Sequence, residues 1–291
     1  MKKMIRIAVD AMGGDNSPQK ILDGIELHNK KSKNVFYKIF GDEDLIKPVI
    51  SKKSIDKNIY EIVHTKDTVK GEDSAFTAAK RGKNTSMWLA IESVKNDSSD
   101  IIVSAGNTGA LLVIAKLNLK MIENIDKPAL SGLWPSKKGM SVVLDLGANI
   151  ECSDKNLIDF AIMGSSLFKS LFPDDNPKVA LLNIGSEEVK GNEIIKETYQ
   201  KLNQIVNEDF EFKGFIEGSN IMDGNVNVIV ADGFTGNVAL KTAEGTANFI
   251  SSELKSALKS SIFGRLGSII SIGSLKKFKK KLDPRLYNGA I

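Results

Sequence analysis

This sequence predicts an α/β fold built on a mainly parallel sheet. Three observations predict it. Short apolar runs stop repeatedly at Gly/Asn/Asp-rich turns, helical apolar stripes follow those turns, and no long apolar stretch or cysteine framework points elsewhere. The runs cover residues 4–9, 101–103, 142–144, 179–182 and 226–230. They end at Asp10-Ala-Met-Gly-Gly-Asp15, Ser104-Ala-Gly-Asn-Thr-Gly109, Asp145-Leu-Gly-Ala-Asn149, Asn183-Ile-Gly-Ser-Glu-Glu-Val-Lys-Gly191 and Asp232-Gly-Phe-Thr-Gly-Asn237. Strands buried in parallel sheets read as short continuous apolar runs. Glycine at the strand end lets the backbone approach an anion, and the helix start beyond it offers free N–H groups. The carboxyl-end loops of such sheets gather along one edge, where ligands bind. The five turns therefore predict one polar crevice for a phosphate-bearing ligand, with Asp15, Asn107, Lys190 and Asn237 converging on it.

Along the chain, Ser17-Pro18 reads as an N-cap followed by proline at the first helical position. Ile21, Leu22, Ile25 and Leu27 give that helix its apolar stripe. Residues 35–40 form a second strand ending at Gly41-Asp42, and 59–63 a third. Residues 65–85 are polar, carry Gly71 and Gly82, and read as a loop over the crevice. Helix resumes over 86–94 and again over 108–121. Residues 129–133 and 141–144 flank Pro135-Ser-Lys-Lys-Gly139 and read as a hairpin. Residues 156–172 form an apolar helix stopped by Pro173, and the last strand feeds a helix near 237–254.

The chain has 291 residues, 42% hydrophobic and 26% charged, enough for one large α/β domain or two lobes. One cysteine excludes a disulfide framework and fits a reducing compartment, and two histidines leave little for a zinc site. The basic-then-apolar start is cut at Asp10, short of a signal segment, so the expected location is cytoplasmic. The net charge of +4 is modest, but Arg265, Lys276, Lys277, Lys279, Lys280, Lys281 and Arg285 crowd the C-terminal end with Asp283 the only acid among them. In residues 262–281, Ile262, Phe263, Leu266, Ile269, Ile270 and Ile272 are interrupted by Gly264, Gly267 and Gly273, then lysines join Leu275 and Phe278. Two readings stand: a helical hairpin with its apolar face on a membrane and its lysines on headgroups, or a dimer-forming or core-packing helix pair. The expected organisation is a single α/β catalytic domain over 1–291, with 255–282 a helical basic-apolar segment for membrane or dimer contact.

Taken in order, Val9-Asp-Ala-Met-Gly-Gly-Asp15, Val103-Ser-Ala-Gly-Asn-Thr-Gly-Ala110, Leu144-Asp-Leu-Gly-Ala-Asn149, Leu182-Asn-Ile-Gly-Ser-Glu-Glu-Val-Lys-Gly191 and Asp232-Gly-Phe-Thr-Gly-Asn-Val238 resemble the bacterial phosphate acyltransferase family PlsX, the acyl-acyl carrier protein:phosphate acyltransferases. The resemblance runs from the first strand to the last residues. It implies an enzyme that converts acyl-acyl carrier protein and inorganic phosphate into acyl phosphate, early in phospholipid synthesis. It implies a three-layer α/β/α sandwich similar to isocitrate and isopropylmalate dehydrogenases and to phosphotransacetylases. The implied partners are acyl-acyl carrier protein, phosphate, an anionic membrane surface bound peripherally and a second copy of the chain; no nucleic acid, resident cofactor or protein-held metal site is expected, and whether a divalent metal assists stays open. It also implies that the chain is C-terminally short relative to the family. Members continue past the segment matching Asp283-Pro-Arg-Leu-Tyr-Asn-Gly-Ala290 through a strand and a Lys-Ser-His-Gly-like turn expected to help line the crevice, whereas this sequence ends at Ile291.

In that reaction a phosphate oxygen attacks a thioester carbonyl and a thiolate leaves. It needs a cradle for phosphate, donors for the developing oxyanion and a slot for the phosphopantetheine arm. No covalent enzyme intermediate is required, and a thiolate with a pKa near about 8.5 leaves without much protonation. Lys190, beside Gly185 and Gly191, is the leading cation; the plainer reading pairs it with Glu187 or Glu188. Ser104, Gly106, Asn107 and Thr108 open a helix at a strand end and suit anion binding, or simply cap. Asp10 and Asp15 flank Gly13 and Gly14 and orient a lysine or accept a proton, or Asp15 only stabilises its turn. Asn149 and Asn237 offer amides to a carbonyl or phosphate, and Asp145, Asp232 and Gly233 position them, or cap the next helix. Cys152 reads as a packed thiol. His28 reads as lying on a surface helix and His64 as ending a strand. Arg81 and Lys83 read as a phosphate or carrier-protein contact or as a solvated face. A dinucleotide-dependent dehydrogenase ranks lower, because Asp10-Ala-Met-Gly-Gly-Asp15 lacks the three spaced glycines. A phosphotransacetylase acting on acyl-coenzyme A and a non-catalytic phosphate- or lipid-surface binding protein remain as alternatives.

Overall fold

A computed structural model describes residues 4–205 and 209–282. The chain forms two compact units that divide between Glu123 and Asn124. The side chains of Arg81 and Lys279–Lys281, and the whole segment 283–291 with Asp283 and Arg285, lie outside the described residues.

The first unit runs β1(Ile5–Asp10), α1(Gln19–Lys31), β2(Val35–Gly41), α2(Glu43–Ile50), β3(Tyr60–His64), α3(Ala75–Arg81), α4(Ser86–Lys95), β4(Ile101–Ser104) and α5(Thr108–Leu119). Its strands pair in the order β3-β2-β1-β4, all parallel. Alternation along β1 and β2 decides which helix each face receives. Val9, Tyr37 and Ile39 pack against Leu22 and Ile25 of α1 and Ile46 and Ile50 of α2. Ala8 and Phe40 point the other way, onto Ala90 of α4. The result is three layers.

The second unit runs β5(Ser131–Pro135), β6(Met140–Leu144), α6(Asp154–Leu171), β7(Lys178–Asn183), α7(Glu193–Gln204), β8(Glu211–Glu217), β9(Val228–Val230), α8(Gly233–Lys259), α9(Ile262–Ile270) and α10(Ile272–Leu282). Its sheet order is β5-β6-β9-β7-β8, parallel except for the β5–β6 hairpin. Val142, Leu144, Val179, Leu181, Val228 and Val230 face Leu157, Phe160, Ala161 and Phe168 of α6 and Ile195 and Leu202 of α7. Val143, Ala180 and Ile229 face the opposite layer, where Leu240 and Ala243 of α8 pack. Near-continuous apolar strands covered by helices on both faces are what a parallel sheet demands. No helix among the described residues is long and apolar enough to cross a membrane.

Capping residues set where the helices begin. Asn107, Ser153, Asn192 and Asp232 each accept a backbone N–H three residues on, at 3.0, 3.3, 2.9 and 2.8 Å. The structure corrects the sequence reading in several places. Ser17 does not cap α1; Pro18 occupies that position, and the Ser17 hydroxyl donates back to the Gly13 and Gly14 carbonyls. Residues 65–85 are not all loop, because Ser74 caps α3 by accepting from Thr77 N. The helix expected from 237 begins at Gly233, where Asp232 caps it. The structure adds α2, α7 and β8 to the elements expected from the sequence.

Candidate functional site

In the first unit, the turns after β1 and β4 lock together through Asp10. This carboxylate is 1% exposed. One oxygen accepts from Ser86 Oγ at 2.6 Å and Met12 N at 3.2 Å, and the other from Ser104 Oγ at 2.6 Å. Ser104 Oγ in turn accepts from Gly106 N at 3.1 Å. The turns touch so closely that a Cβ on Gly13 would sit 2.6 Å from Asp10 Oδ2 and 2.7 Å from Gly106 N. Asn107 donates from Nδ2 to the carbonyls of Gly71 and Asp73, at 3.0 and 2.9 Å, and caps α5 with its oxygen. Its amide therefore ties the 71–73 turn to the start of α5, and what it contributes is position. Gly14, Asp15 and Thr108 are exposed at this end of the unit.

In the second unit, Asp145 is fully buried and is the hub of the β6–α6 turn. Oδ1 accepts from Leu130, Gly147 and Ala148 N at 3.1, 3.0 and 2.9 Å; Oδ2 accepts from Asn149 N and Nδ2 at 2.7 and 2.8 Å. Asn149 Nδ2 also reaches Pro128 O at 2.7 Å, so its amide belongs to the turn. The start of α8 rests on this turn. Gly233 N donates to Asn149 O at 2.7 Å, Asn237 Nδ2 donates to Leu146 O at 3.0 Å, and any Cβ on Gly236 would collide with the Asp145 carbonyl oxygen. Asp232 holds Thr235 twice, at N and at Oγ1, both at 2.8 Å.

Beside that turn lies a cavity of about 670 Å³ lined from three helix starts. The caps Ser153, Asn192 and Asp232 open onto it with Asn156 and Leu157 of α6, Ile194 and Ile195 of α7 and Phe234 and Thr235 of α8, and Lys127, Ile150, Glu151 and Cys152 complete the wall. Helix N-termini carry partial positive charge and suit an anionic group. Lys127 adds a cation, its Nζ donating to Glu151 O at 2.9 Å. Cys152 is 7% exposed, and burial pushes its thiol above the ordinary range against a nearby Gly233 N–H that lowers it. Both histidines have local partners, His28 with Tyr37 OH at 2.7 Å and His64 accepting Glu43 N at 3.1 Å.

Lys190 is exposed and forms no ion pair among the described residues. The carboxylate of Glu188 is taken by Tyr199 OH at 2.6 Å. Asn183 and buried Gly185 shape the same loop, Asn183 Nδ2 donating to Lys190 O at 3.2 Å. Of the sequence-predicted site residues, Asp232 lines the cavity, and Asp145, Asn149, Gly233 and Asn237 build the turn beside it. Asp10, Gly13, Ser104 and Gly106 form the lock of the first unit. Sequence reasoning missed Ser86, Lys127, Asn192 and Thr235. Asn192 and Thr235 had a signal, since each lies in a helix start directly after a glycine turn.

Residues 5–291 match the family described as Fatty acid synthesis protein. A phosphate acyltransferase of Pelagibacter ubique is 72% identical over 291 residues, 100% of this chain and 87% of the relative. One from Rhodospirillum rubrum is 44% identical, covering 100% and 83%. Among solved structures, the EutD phosphotransacetylase from Staphylococcus aureus superposes with a TM-score of 0.60 at 16% identity, covering 84% of this chain and 82% of that one. A phosphotransacetylase from Streptococcus pyogenes gives 0.60 at 17%, covering 84% and 83%. At such identities the two solved structures establish the shared α/β fold.

Two predictions follow from the geometry. Asp145→Ala leaves four backbone N–H groups without their acceptor and lowers unfolding free energy by about 3 kcal/mol or more, measured by denaturant titration. Because burial favours the neutral thiol, alkylation of Cys152 at neutral pH is slower than for a free thiol and accelerates only above the ordinary pKa of about 8.5. A pH series with iodoacetamide and mass spectrometry reads this directly.

Proposed function

The chain belongs to the fatty acid synthesis protein family and is an enzyme of the phosphate acyltransferase kind, and on that premise we propose that it moves a fatty acyl group from acyl-acyl carrier protein to inorganic phosphate. The observation that carries this reading is the cavity on which the starts of α6, α7 and α8 open beside an apolar wall. A phosphate oxygen attacks the thioester carbonyl, the C–O bond forms, and the tetrahedral oxyanion collapses with loss of the carrier thiolate. The three helix starts and Lys127 favour the charge that develops on the carbonyl oxygen. Lys190, two residues before Asn192, supplies a cation for phosphate and has no ion pair among the described residues. Gly185 keeps that loop tight, since a Cβ there would lie 3.0 Å from Lys190 Cγ. Asp10, Asp145, Asn107, Asn149 and Asn237 act as positioning residues. Phosphate is itself the nucleophile, so the buried Cys152 thiol carries no acyl group.

We place the enzyme in the cytoplasm, peripherally on anionic membrane, as a homodimer. The membrane reading is supported by α9, where Phe263 and Ile270 are 86% and 85% exposed, and by the exposed Lys276 and Lys277 of α10. Pairing with a second copy is supported by Phe249 and Ile250 of α8, 65% and 47% exposed.

The direct test supplies purified protein with long-chain acyl-acyl carrier protein and phosphate and traps acyl phosphate as hydroxamate. Product from the carrier-protein thioester supports the reading. Product from acyl-coenzyme A alone turns the assignment to a phosphotransacetylase-like enzyme, and binding without turnover turns it to a phosphate- or lipid-surface protein. Lys190→Ala is expected to reduce kcat/KM by about 100-fold, the scale of one lost charge contact in the transition state, with an unaltered melting temperature. Unaltered turnover removes Lys190 from the site. Phe263→Glu with Ile270→Glu is expected to abolish sedimentation with phosphatidylglycerol vesicles while turnover on soluble substrate persists; retained sedimentation assigns that face to another contact.

A further inference from the structure

Resting on the acyl-transfer reading, we propose that Phe234, Ile194 and Ile150 form the slot for the hydrocarbon chain of the acyl donor, so that this wall selects chain length. These side chains are 63%, 40% and 71% exposed, yet all three line the one cavity. Its buried lining is apolar too, with Leu157 and Ile195 exposed by only 1% and 7%. Several polar groups around them hold bonds of their own. Ser153, Asn192 and Asp232 accept backbone N–H groups of their own helices, and Lys127 Nζ donates to Glu151 O. Along Phe234, Ile194 and Ile150 the wall itself offers a polar group no hydrogen-bond partner. A hydrocarbon chain removes apolar surface from water and leaves the caps intact. The volume of about 670 Å³ lies within the range of pockets that enclose small ligands. The reacting head then sits toward the helix starts, with the chain along Phe234, Ile194 and Ile150.

The experiment compares hexadecanoyl and butanoyl thioesters on the same carrier protein, and hexadecyl and butyl phosphonates by calorimetry, with wild type and Phe234→Ala. Phe234 is exposed enough that its truncation spares the core, and Ile150→Ala, at a still more exposed position, serves as a second variant. The slot predicts that the wild type binds the long phosphonate more tightly, and that Phe234→Ala shrinks the long-over-short preference in both KM and Kd about tenfold. An equal change for long and short donors assigns the wall to the shared pantetheine arm and overturns the proposal, as does an unaltered preference. The transfer reading fails separately: chain-length preference in calorimetry with no acyl phosphate formed would retain the slot and discard the reaction.

Discussion

A carboxylate with no exposure to water is tolerated only when its oxygens are fully hydrogen-bonded. Asp145 meets that condition by gathering the N–H groups of Leu130, Gly147, Ala148 and Asn149 and the amide of Asn149. Those bonds join the start of the β5–β6 hairpin to the β6–α6 turn. They also fix the surface on which α8 begins, because Gly236 lies against the Asp145 carbonyl and Gly233 bonds Asn149. Without this anchor the start of α8 would have no fixed seat beside those of α6 and α7, and the cavity between them would lose its shape.

The first unit uses the same device with different partners. Asp10 is held by two hydroxyls, from Ser86 and Ser104, in place of a ring of backbone donors. Both units thus bury a carboxylate at the end of a strand and let it organise the following turn. Both buried carboxylates position backbone, while the cavity wall combines helix starts, Lys127, Glu151 and apolar side chains. That division suits a reaction whose nucleophile is a bound anion and whose leaving group needs little protonation.

Much of the fold was legible because parallel strands and their glycine turns are local signals. The apolar runs at 142–144 and 179–182 fall inside β6 and β7, and the turn at 135–139 is the hairpin. The segment 65–85 misled because α3 is short and its Ser74 cap sits in a polar stretch with no apolar stripe. Ser17 misled because its hydroxyl found the Gly13 and Gly14 carbonyls nearer than any helix N–H. At the site, the turns were legible but the partners of their side chains were not. Asn107 read as anion-binding or capping and Asn149 as an amide donor to a carbonyl or phosphate; Asn107 caps α5, and the two amides close onto Gly71, Asp73 and Pro128, partners remote in sequence. Lys127 stands in a stretch with no motif, so only the folded chain brings it to the cavity wall.

A crystal structure with hexadecyl phosphonate bound tests the central claim most directly, because it locates both ends of the substrate at once. The phosphonate oxygens are expected at the starts of α6, α7 and α8 and the chain against Phe234, Ile194 and Ile150. A ligand bound elsewhere, with this cavity holding only solvent, would contradict it.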